Sequence, residues 1–162
     1  MKLKTALAAA IGAASMGLVT AAHAAGDYVS IVQETSVNAP AAKAWDKVKG
    51  YCDIGAWLKT TCEITAGKDG EVGALRKIAG RVEEVIVAKT ATSYTYADIN
   101  PAILYHGTIE VVVLTPTTSK FIYTLFFDQA SIPAEQREAN RSRRAAMFKG
   151  VLATMKTAAE AK

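Results

Sequence analysis

The sequence contains few of the residues on which metal and nucleophile chemistry depends. It has two cysteines and two histidines among 162 residues. Two cysteines are too few for a four-ligand zinc site or for a small scaffold held together by several disulfides. His106 is the only histidine after residue 24, which leaves little support for Cys/His or Ser/His catalysis or for a multi-histidine metal site. No glycine-rich phosphate loop or dinucleotide fingerprint occurs, so we predict neither a metal nor a cofactor.

Residues 1–24 differ in composition from the rest of the chain. Two lysines precede an uncharged stretch of small and apolar residues, and a small-x-small cleavage motif follows at 22–24. This arrangement predicts a secretory signal peptide. The alternative is a membrane-spanning helix, for which the stretch is only weakly hydrophobic. We therefore expect residues 25–162 to form a single mature domain, periplasmic or secreted, with no stable insertion in a membrane.

The basic charge of the chain is halved by this cleavage. The full chain has a net charge of +4, and the signal peptide carries two lysines and no acidic residue, so the mature domain has a net charge of +2. So small a charge gives no electrostatic reason to expect a nucleic-acid partner.

Export also changes how Cys52 and Cys62 are interpreted, because disulfides persist in oxidising compartments. A bond between them would close a loop of about 11 residues and stabilise the fold by about 3 kcal/mol. Two separate buried thiols or a reactive pair are the alternatives, although the closer Cys-x-x-Cys spacing of redox sites is absent. A structural disulfide is the favoured interpretation.

The periodicity of the mature sequence predicts an α+β domain. A loosely alternating strand at 28–37 is followed by two short helices, at 40–49 and 52–58. Strands with a period of two are then expected at 61–65, 73–79, 81–89, 93–99, 105–114 and 120–128. Their turns are too short for parallel crossovers, so the sheet of about seven strands should be antiparallel. After Pro133 an apolar stripe at helical spacing predicts one long C-terminal helix, packed on a curved sheet.

The hairpin around Gly80 places two opposite charges on an otherwise apolar face. A three-residue turn centred on Gly80 would pair Ile78 with Val82, and Arg76 with Glu84. A two-residue turn would shift the register, so that Arg76 and Glu84 would no longer lie opposite each other. Burying a charge is costly unless it is paired, so the two charges should meet each other or a ligand. Both interpretations stay open: a cross-strand bridge that fixes the register, or a polar anchor for a ligand.

Other polar residues divide between the two faces of the predicted elements. Four tyrosines share strand faces with apolar residues, where their hydroxyls need partners, either in a cavity or at its rim: Tyr94, Tyr96, Tyr105 and Tyr123. The parity of His106 places it on the opposite face, as a solvated residue. Four arginines precede the apolar stripe of the last helix and are expected to form a solvated face, with an anion site as the alternative: Arg137, Arg141, Arg143 and Arg144.

The ordered set of these residues resembles the START-related lipid-transfer and polyketide-cyclase superfamily, SRPBCC, whose fold is also that of the birch pollen allergen. The resemblance extends over 28–159 and rests on Ala39-Pro40, Trp45, Trp57, Gly73-x-x-Arg76, Glu84, Ser93-Tyr94-Thr95-Tyr96, Pro101, Tyr105, Ser119 and Phe127. It implies a helix-grip fold, in which the sheet wraps the C-terminal helix around a hydrophobic cavity. Members bind lipids, sterols, polyketides or other hydrophobic molecules, and some catalyse cyclisation or dehydration. Tyr123 departs from the pattern, since relatives often carry tryptophan there.

The favoured function is therefore an exported binding or carrier protein that encloses a hydrophobic or aromatic small molecule, such as a lipid or a polyketide-like compound. The predicted ligand-binding residues are Trp57, Arg76, Glu84, Tyr94, Tyr96, Tyr105, Tyr123, Phe127, Phe148 and Leu152. One alternative is a cyclase- or dehydratase-like enzyme that uses Glu84, Arg76 and Tyr96. Another is an interaction module without a ligand. The sequence favours binding over catalysis and predicts no particular oligomeric state.

Overall fold

The computed structural model describes residues 26–99 and 104–161. The predicted signal peptide at 1–24 lies outside these residues, as does the turn expected at 100–101. Within the described part the elements in chain order are β1 (Tyr28–Val37), α1 (Ala41–Asp46), α2 (Ile54–Leu58), β2 (Cys62–Ala66), β3 (Leu75–Ile78), β4 (Val82–Lys89), β5 (Ser93–Asp98), β6 (His106–Thr115), β7 (Thr118–Asp128) and α3 (Ala134–Glu160).

The strands of the described residues form one antiparallel sheet in the order β1-β7-β6-β5-β4-β3-β2. Strands β2 to β7 pair with their neighbours in sequence, as their short turns predict, and β1 lies beside β7. Two helices start directly after a proline, α1 after Pro40 and α3 after Pro133, and both prolines have the extended ψ of a residue that precedes a helix. The predicted α+β helix-grip architecture is confirmed, with two short helices after the first strand and a long C-terminal helix.

The hairpin between β3 and β4 has the predicted register. Ile78 pairs with Val82, and Arg76 pairs with Glu84. Gly80, at the centre of the turn, has a φ of 69°. Residues that carry a side chain rarely adopt this left-handed backbone conformation, so glycine suits this position of the turn. The three-residue turn thus puts Arg76 and Glu84 on the same face of the hairpin.

Inward and outward residues alternate as expected along the long strands. The inward residues of β7 are all buried: Ser119, Phe121, Tyr123, Leu125 and Phe127. The stripe of α3 is buried against them and against β1: Phe148, Leu152, Met155 and Ala159. Each large apolar side chain so buried stabilises the fold by about 1.5–3 kcal/mol. His106 lies on the outer face beside Phe126, in agreement with its parity. Among the described helices, none is long and apolar enough to cross a membrane.

The segment that contains α2 is closed at its base. The structure joins Cys52 to Cys62 by a disulfide, with their Cα atoms 5.4 Å apart, so the bond brackets the whole of α2. Lys59, at the end of α2, has a φ of 53° and turns the chain back towards β2. This disulfide is the interpretation that an oxidising compartment favours for the two cysteines. Its formation in solution stays a prediction.

Candidate functional site

A cavity of about 410 Å³ lies between the β3–β4 hairpin, α2 and the middle of α3. This volume is within the usual range of small-molecule sites, about 300–1,000 Å³. Its apolar lining comes from all three elements: Ile54, Leu58, Ile78, Val82, Met147 and Val151. The cavity is thus positioned by the hairpin turn at Gly80, by the disulfide-bracketed α2 and by the packing of α3 on the sheet.

One wall of the cavity carries the buried pair Arg76 and Glu84, which are 1% and 5% exposed. The Nε and Nη2 atoms of Arg76 donate to Oε2 of Glu84 at 2.9 and 2.6 Å. Its Nη1 donates to the carbonyl oxygen of Tyr51 at 2.5 Å. The guanidinium also lies over the rings of Tyr51 and Tyr96, 4.0 and 5.1 Å from their centroids. The pair is therefore a cross-strand bridge that also faces the cavity.

Burial and pairing act in opposite directions on these two charges. Burial raises the pKa of Glu84, and the guanidinium of Arg76 opposes that rise. Burial alone would lower the pKa of Arg76, but the carboxylate of Glu84 raises it. Because an arginine stays protonated in proteins, its buried charge needs the Glu84 carboxylate as counter-ion. An ionised, hydrogen-bonded Glu84 is a poor general base, which weighs against the enzymatic alternative.

Three tyrosines, Tyr96, Tyr105 and Tyr123, meet at the cavity and form what we call the tyrosine cluster. The hydroxyl of Tyr96 is hydrogen-bonded to that of Tyr105 at 3.2 Å and to that of Tyr123. These two bonds use two of the three hydroxyl protons, so one proton can be donated to a molecule in the cavity. Burial raises the pKa of all three phenols, which keeps them neutral donors at physiological pH.

The position of the tyrosine cluster depends on a glycine in the neighbouring strand. Gly107 of β6 is the ladder partner of Tyr96 in β5. A Cβ atom at residue 107 would lie 2.4 Å from the Tyr96 ring, closer than two carbon atoms can approach. The Tyr96 ring thus crosses the space that a side chain at 107 would fill. On the other side Phe148 packs against Tyr123, with ring centroids 4.8 Å apart.

Six of the ten predicted ligand-binding residues line this cavity: Arg76, Glu84, Tyr96, Tyr105, Tyr123 and Phe148. The other four are buried in the core and do not line it: Trp57, Tyr94, Phe127 and Leu152. Strand and helix periodicity separates inward from outward positions. It does not separate a position in the packed core from one at a cavity. These four residues are buried in the core, and Tyr94 also borders a separate cavity near α1.

Arg144 lines the cavity although a solvated helix face is the place that the sequence favours for it. The sequence predicts a solvated helix face for the four arginines of α3, with an anion site as the alternative, and Arg141 and Arg143 are indeed exposed. Arg144 is instead half-buried and lines the cavity, with its guanidinium carbon 4.8 Å from the Phe127 ring centroid. Its position four residues before Phe148 is the signal that would have identified it, since residues at that spacing share a helix face.

A second cavity of about 410 Å³ lies near α1, beside Trp45 and Tyr94. Its two lysines, Lys49 and Lys89, are exposed and form ion pairs with exposed carboxylates. Charged groups of this kind are already solvated and gain little from a ligand. The cavity between the hairpin and α3 combines buried charges with an apolar lining and is therefore the better candidate site.

Comparison with known proteins places the fold in a known group. The family described as polyketide cyclase / dehydrase and lipid transport matches residues 28–160. A structure from Nitrosospira multiformis matches 82% of this chain and 94% of its own, with 16% identity and a TM-score of 0.63. The protein XoxI from Bacillus cereus matches 81% and 92%, with 17% identity and a TM-score of 0.61. The di-domain ARO/CYC protein BexL, of the BE-7585A biosynthetic pathway, matches 83% of this chain and 51% of its own, with 20% identity and a TM-score of 0.62. No curated protein matches the chain.

Proposed function

Because the chain belongs to the polyketide cyclase/dehydrase and lipid-transport family, we propose that it is an exported protein that binds or carries a hydrophobic or aromatic small molecule. The molecule would lie in the cavity between the β3–β4 hairpin, α2 and α3. The observation that carries this proposal is the meeting of the tyrosine cluster and the Arg76–Glu84 pair at one apolar cavity. A few convergent polar groups in a mostly apolar lining are typical of small-molecule sites.

The volume of the cavity supports a ligand of modest size. The cavity of about 410 Å³ is in the lower part of the range of small-molecule sites, about 300–1,000 Å³, and suits one small organic molecule. A single acyl chain or a small aromatic skeleton fits this space. The free hydroxyl proton of the tyrosine cluster would be donated to a carbonyl or hydroxyl oxygen of that molecule.

An enzyme of the cyclase or dehydratase type is the second candidate. In its favour, the pKa of Tyr96 is raised well above the usual value by burial, so its hydroxyl is a neutral donor that could polarise a carbonyl. Against it, two of the three hydrogen bonds that Arg76 donates end on Glu84, the candidate general base, and hold its carboxylate in the ion pair. Carriage therefore remains the better supported function.

The proposal that the protein is exported rests on the signal-peptide pattern of residues 1–24 and on the cysteine pair. A signal peptide would deliver residues 25–162 as a single domain to the periplasm or the medium. The Cys52–Cys62 pairing supports this location, because a disulfide persists where thiols are oxidised. Cell fractionation and the N-terminal residue of the mature protein test this part of the proposal.

Extraction of the purified protein with organic solvent, followed by mass spectrometry, tests the binding function. We expect one class of hydrophobic molecule to be enriched over a mock purification. Val151→Phe, which fills part of the cavity, should remove that molecule. Ala153→Phe, at an exposed position of the same helix, should retain it. An extract without an enriched molecule, or one unchanged by Val151→Phe, would contradict the proposal.

A further inference from the structure

Arg144 brings a positive charge to the cavity from α3. Its Nε donates to Oδ1 of Asn140 at 2.7 Å, which leaves the two terminal nitrogens for other partners. The guanidinium carbon lies 4.8 Å from the Phe127 ring centroid and 5.9 Å from that of Tyr105. These aromatic faces hold the guanidinium at the cavity while satisfying none of its remaining N–H groups.

In the part of the chain that the structure describes, no carboxylate pairs with Arg144. Within residues 26–99 and 104–161, none of the ion pairs involves Arg144. Burial lowers the pKa of Arg144; Tyr105 opposes this decrease, and the neighbouring Arg143 adds a smaller decrease. Arg137, which precedes it on the same helix, is by contrast paired with Asp27 at 2.7 Å.

The charges around the cavity also favour an anion. Its lining carries three arginines and two carboxylates: Arg76, Arg81, Arg144, Glu84 and Asp98. Arg76 and Glu84 neutralise each other in their buried bridge. The remaining lining thus has one more positive than negative charge, and Arg144 is its half-buried cation.

From this geometry we propose that the cavity takes an amphipathic anion, whose carboxylate or phosphate group pairs with the terminal nitrogens of Arg144. The inference rests on the proposed binding function and specifies the chemical class of the bound molecule. A guanidinium presents parallel N–H groups that match the two oxygens of such an anion. The apolar body would then lie over Phe148 and Val151, the cavity residues one and two turns further along α3.

The tyrosine cluster would contact the same molecule a short distance from its charged end. The Tyr105 ring lies within 5.9 Å of the Arg144 guanidinium carbon, and its hydroxyl is bonded to that of Tyr96 at 3.2 Å. A neutral phenol donates readily to an anionic oxygen, and hydrogen bonds to charged groups are stronger than those to neutral ones. Arg144 and the tyrosine cluster therefore favour the same ligand chemistry.

Titration calorimetry with four probes that share one apolar chain tests the inference: decanoate, decyl phosphate, 1-decanol and decylamine, each below its micelle concentration at neutral pH. We expect decanoate or decyl phosphate to bind at least about 10-fold more tightly than 1-decanol, and decylamine to bind most weakly. The preferred anion identifies the head group that the site takes.

Three variants of α3 make the test specific. Arg144→Gln should reduce binding of the preferred anion by about 10- to 100-fold and leave 1-decanol unchanged. Arg144→Lys should retain part of the preference, and Arg143→Gln, at the exposed neighbour, should retain all of it. Circular dichroism checks that each variant is folded.

Two results would overturn the inference. Equal binding of decanoate, decyl phosphate and 1-decanol, or a preference that survives Arg144→Gln, would refute the anion site while leaving the proposed carrier function standing. Failure of all four probes to bind would overturn the anion site as well, and the extraction experiment with Val151→Phe then decides the carrier function separately.

Discussion

Replacing Arg76 with methionine would leave the Glu84 carboxylate buried without its counter-ion. Removing one partner of a buried ion pair typically destabilises a protein by about 3–5 kcal/mol. The Tyr51 carbonyl would also lose the hydrogen bond that it accepts from Nη1 of Arg76, which adds about 1–3 kcal/mol. Domains of this size are stable by only about 5–15 kcal/mol, so Arg76→Met should remove a large share of the total.

The double variant separates pairing from burial. Glu84→Leu alone leaves the Arg76 guanidinium buried without a counter-ion and should again lower the free energy of unfolding by about 3–5 kcal/mol. Arg76→Met combined with Glu84→Leu leaves no buried charge and only the unpaired Tyr51 carbonyl, a cost of about 1–3 kcal/mol. We therefore expect the double variant to be more stable than either single variant. Such non-additivity is the signature of two residues that interact directly.

Urea unfolding of the oxidised protein, followed by tryptophan fluorescence and circular dichroism, measures the four free energies of this cycle. The pair Lys77–Glu83 is a matched control, because it bridges the same hairpin at 2.8 Å but on the solvent-exposed face. Its cycle should show a much smaller coupling. If the Arg76 and Glu84 costs simply add, or if the two cycles give equal couplings, the account of a buried, mutually dependent pair is wrong.

The pH dependence of Arg76→Met adds an independent check. Burial raises the pKa of Glu84, and loss of Arg76 removes the charge that opposes this rise. A carboxyl whose pKa is higher in the folded than in the unfolded state becomes less favourable to folding as the pH rises through this interval. The destabilisation should therefore be smaller near pH 5 than near pH 8. A cost that does not change with pH would show that Glu84 is solvated in the variant.

Three further results are expected. Gly107→Ala should displace the Tyr96 ring and cost about 1–3 kcal/mol in urea unfolding, whereas Gly150→Ala, in open space on α3, should be neutral or stabilising by up to about 1 kcal/mol. The phenols of the tyrosine cluster, whose pKa is raised by burial, should ionise only above about pH 10 in an absorbance titration; because the unfolded chain ionises first, stability should fall as the pH rises beyond that value. Reduction of Cys52–Cys62 should raise the mass by two hydrogens and lower the free energy of unfolding by about 3 kcal/mol, and an unchanged mass would show free thiols.

The hairpin shows what strand periodicity can predict. Antiparallel pairing about a three-residue turn at Gly80 is enough to bring Arg76 opposite Glu84, and the cost of burying a charge is enough to predict that they pair. Both arguments are local, because turn and strands lie within a few residues of one another. The bulge between Ile86 and Ala88 is different, since it depends on how β4 accommodates β5 and leaves no trace in the alternation.

The cavity lining could be predicted only in part, because it depends on distances between elements that are remote in sequence. Phe127 and Tyr123 point to the same side of β7, yet only Tyr123 lines the cavity. Arg144 lies on the same side of α3 as Phe148, but whether that side is covered depends on the reach of α2 and of the hairpin. Such information is tertiary, and the pattern of a single helix does not contain it.

The anchoring of α3 explains why its middle turns face the cavity. Near its start Arg137 pairs with Asp27 at 2.7 Å, and near its end the Lys156 ammonium donates to the Ser36 carbonyl at 2.7 Å. The backbone N–H of Asn38 donates to Glu160 at 2.7 Å, beyond the buried stripe. These contacts tie both ends of the helix to β1 and the residues that flank it. Between them lie the turns that carry Arg144, bonded to Asn140, and Phe148, packed on Tyr123. A molecule bound in the cavity would meet side chains that already have partners, so less of its binding energy would be lost in ordering them.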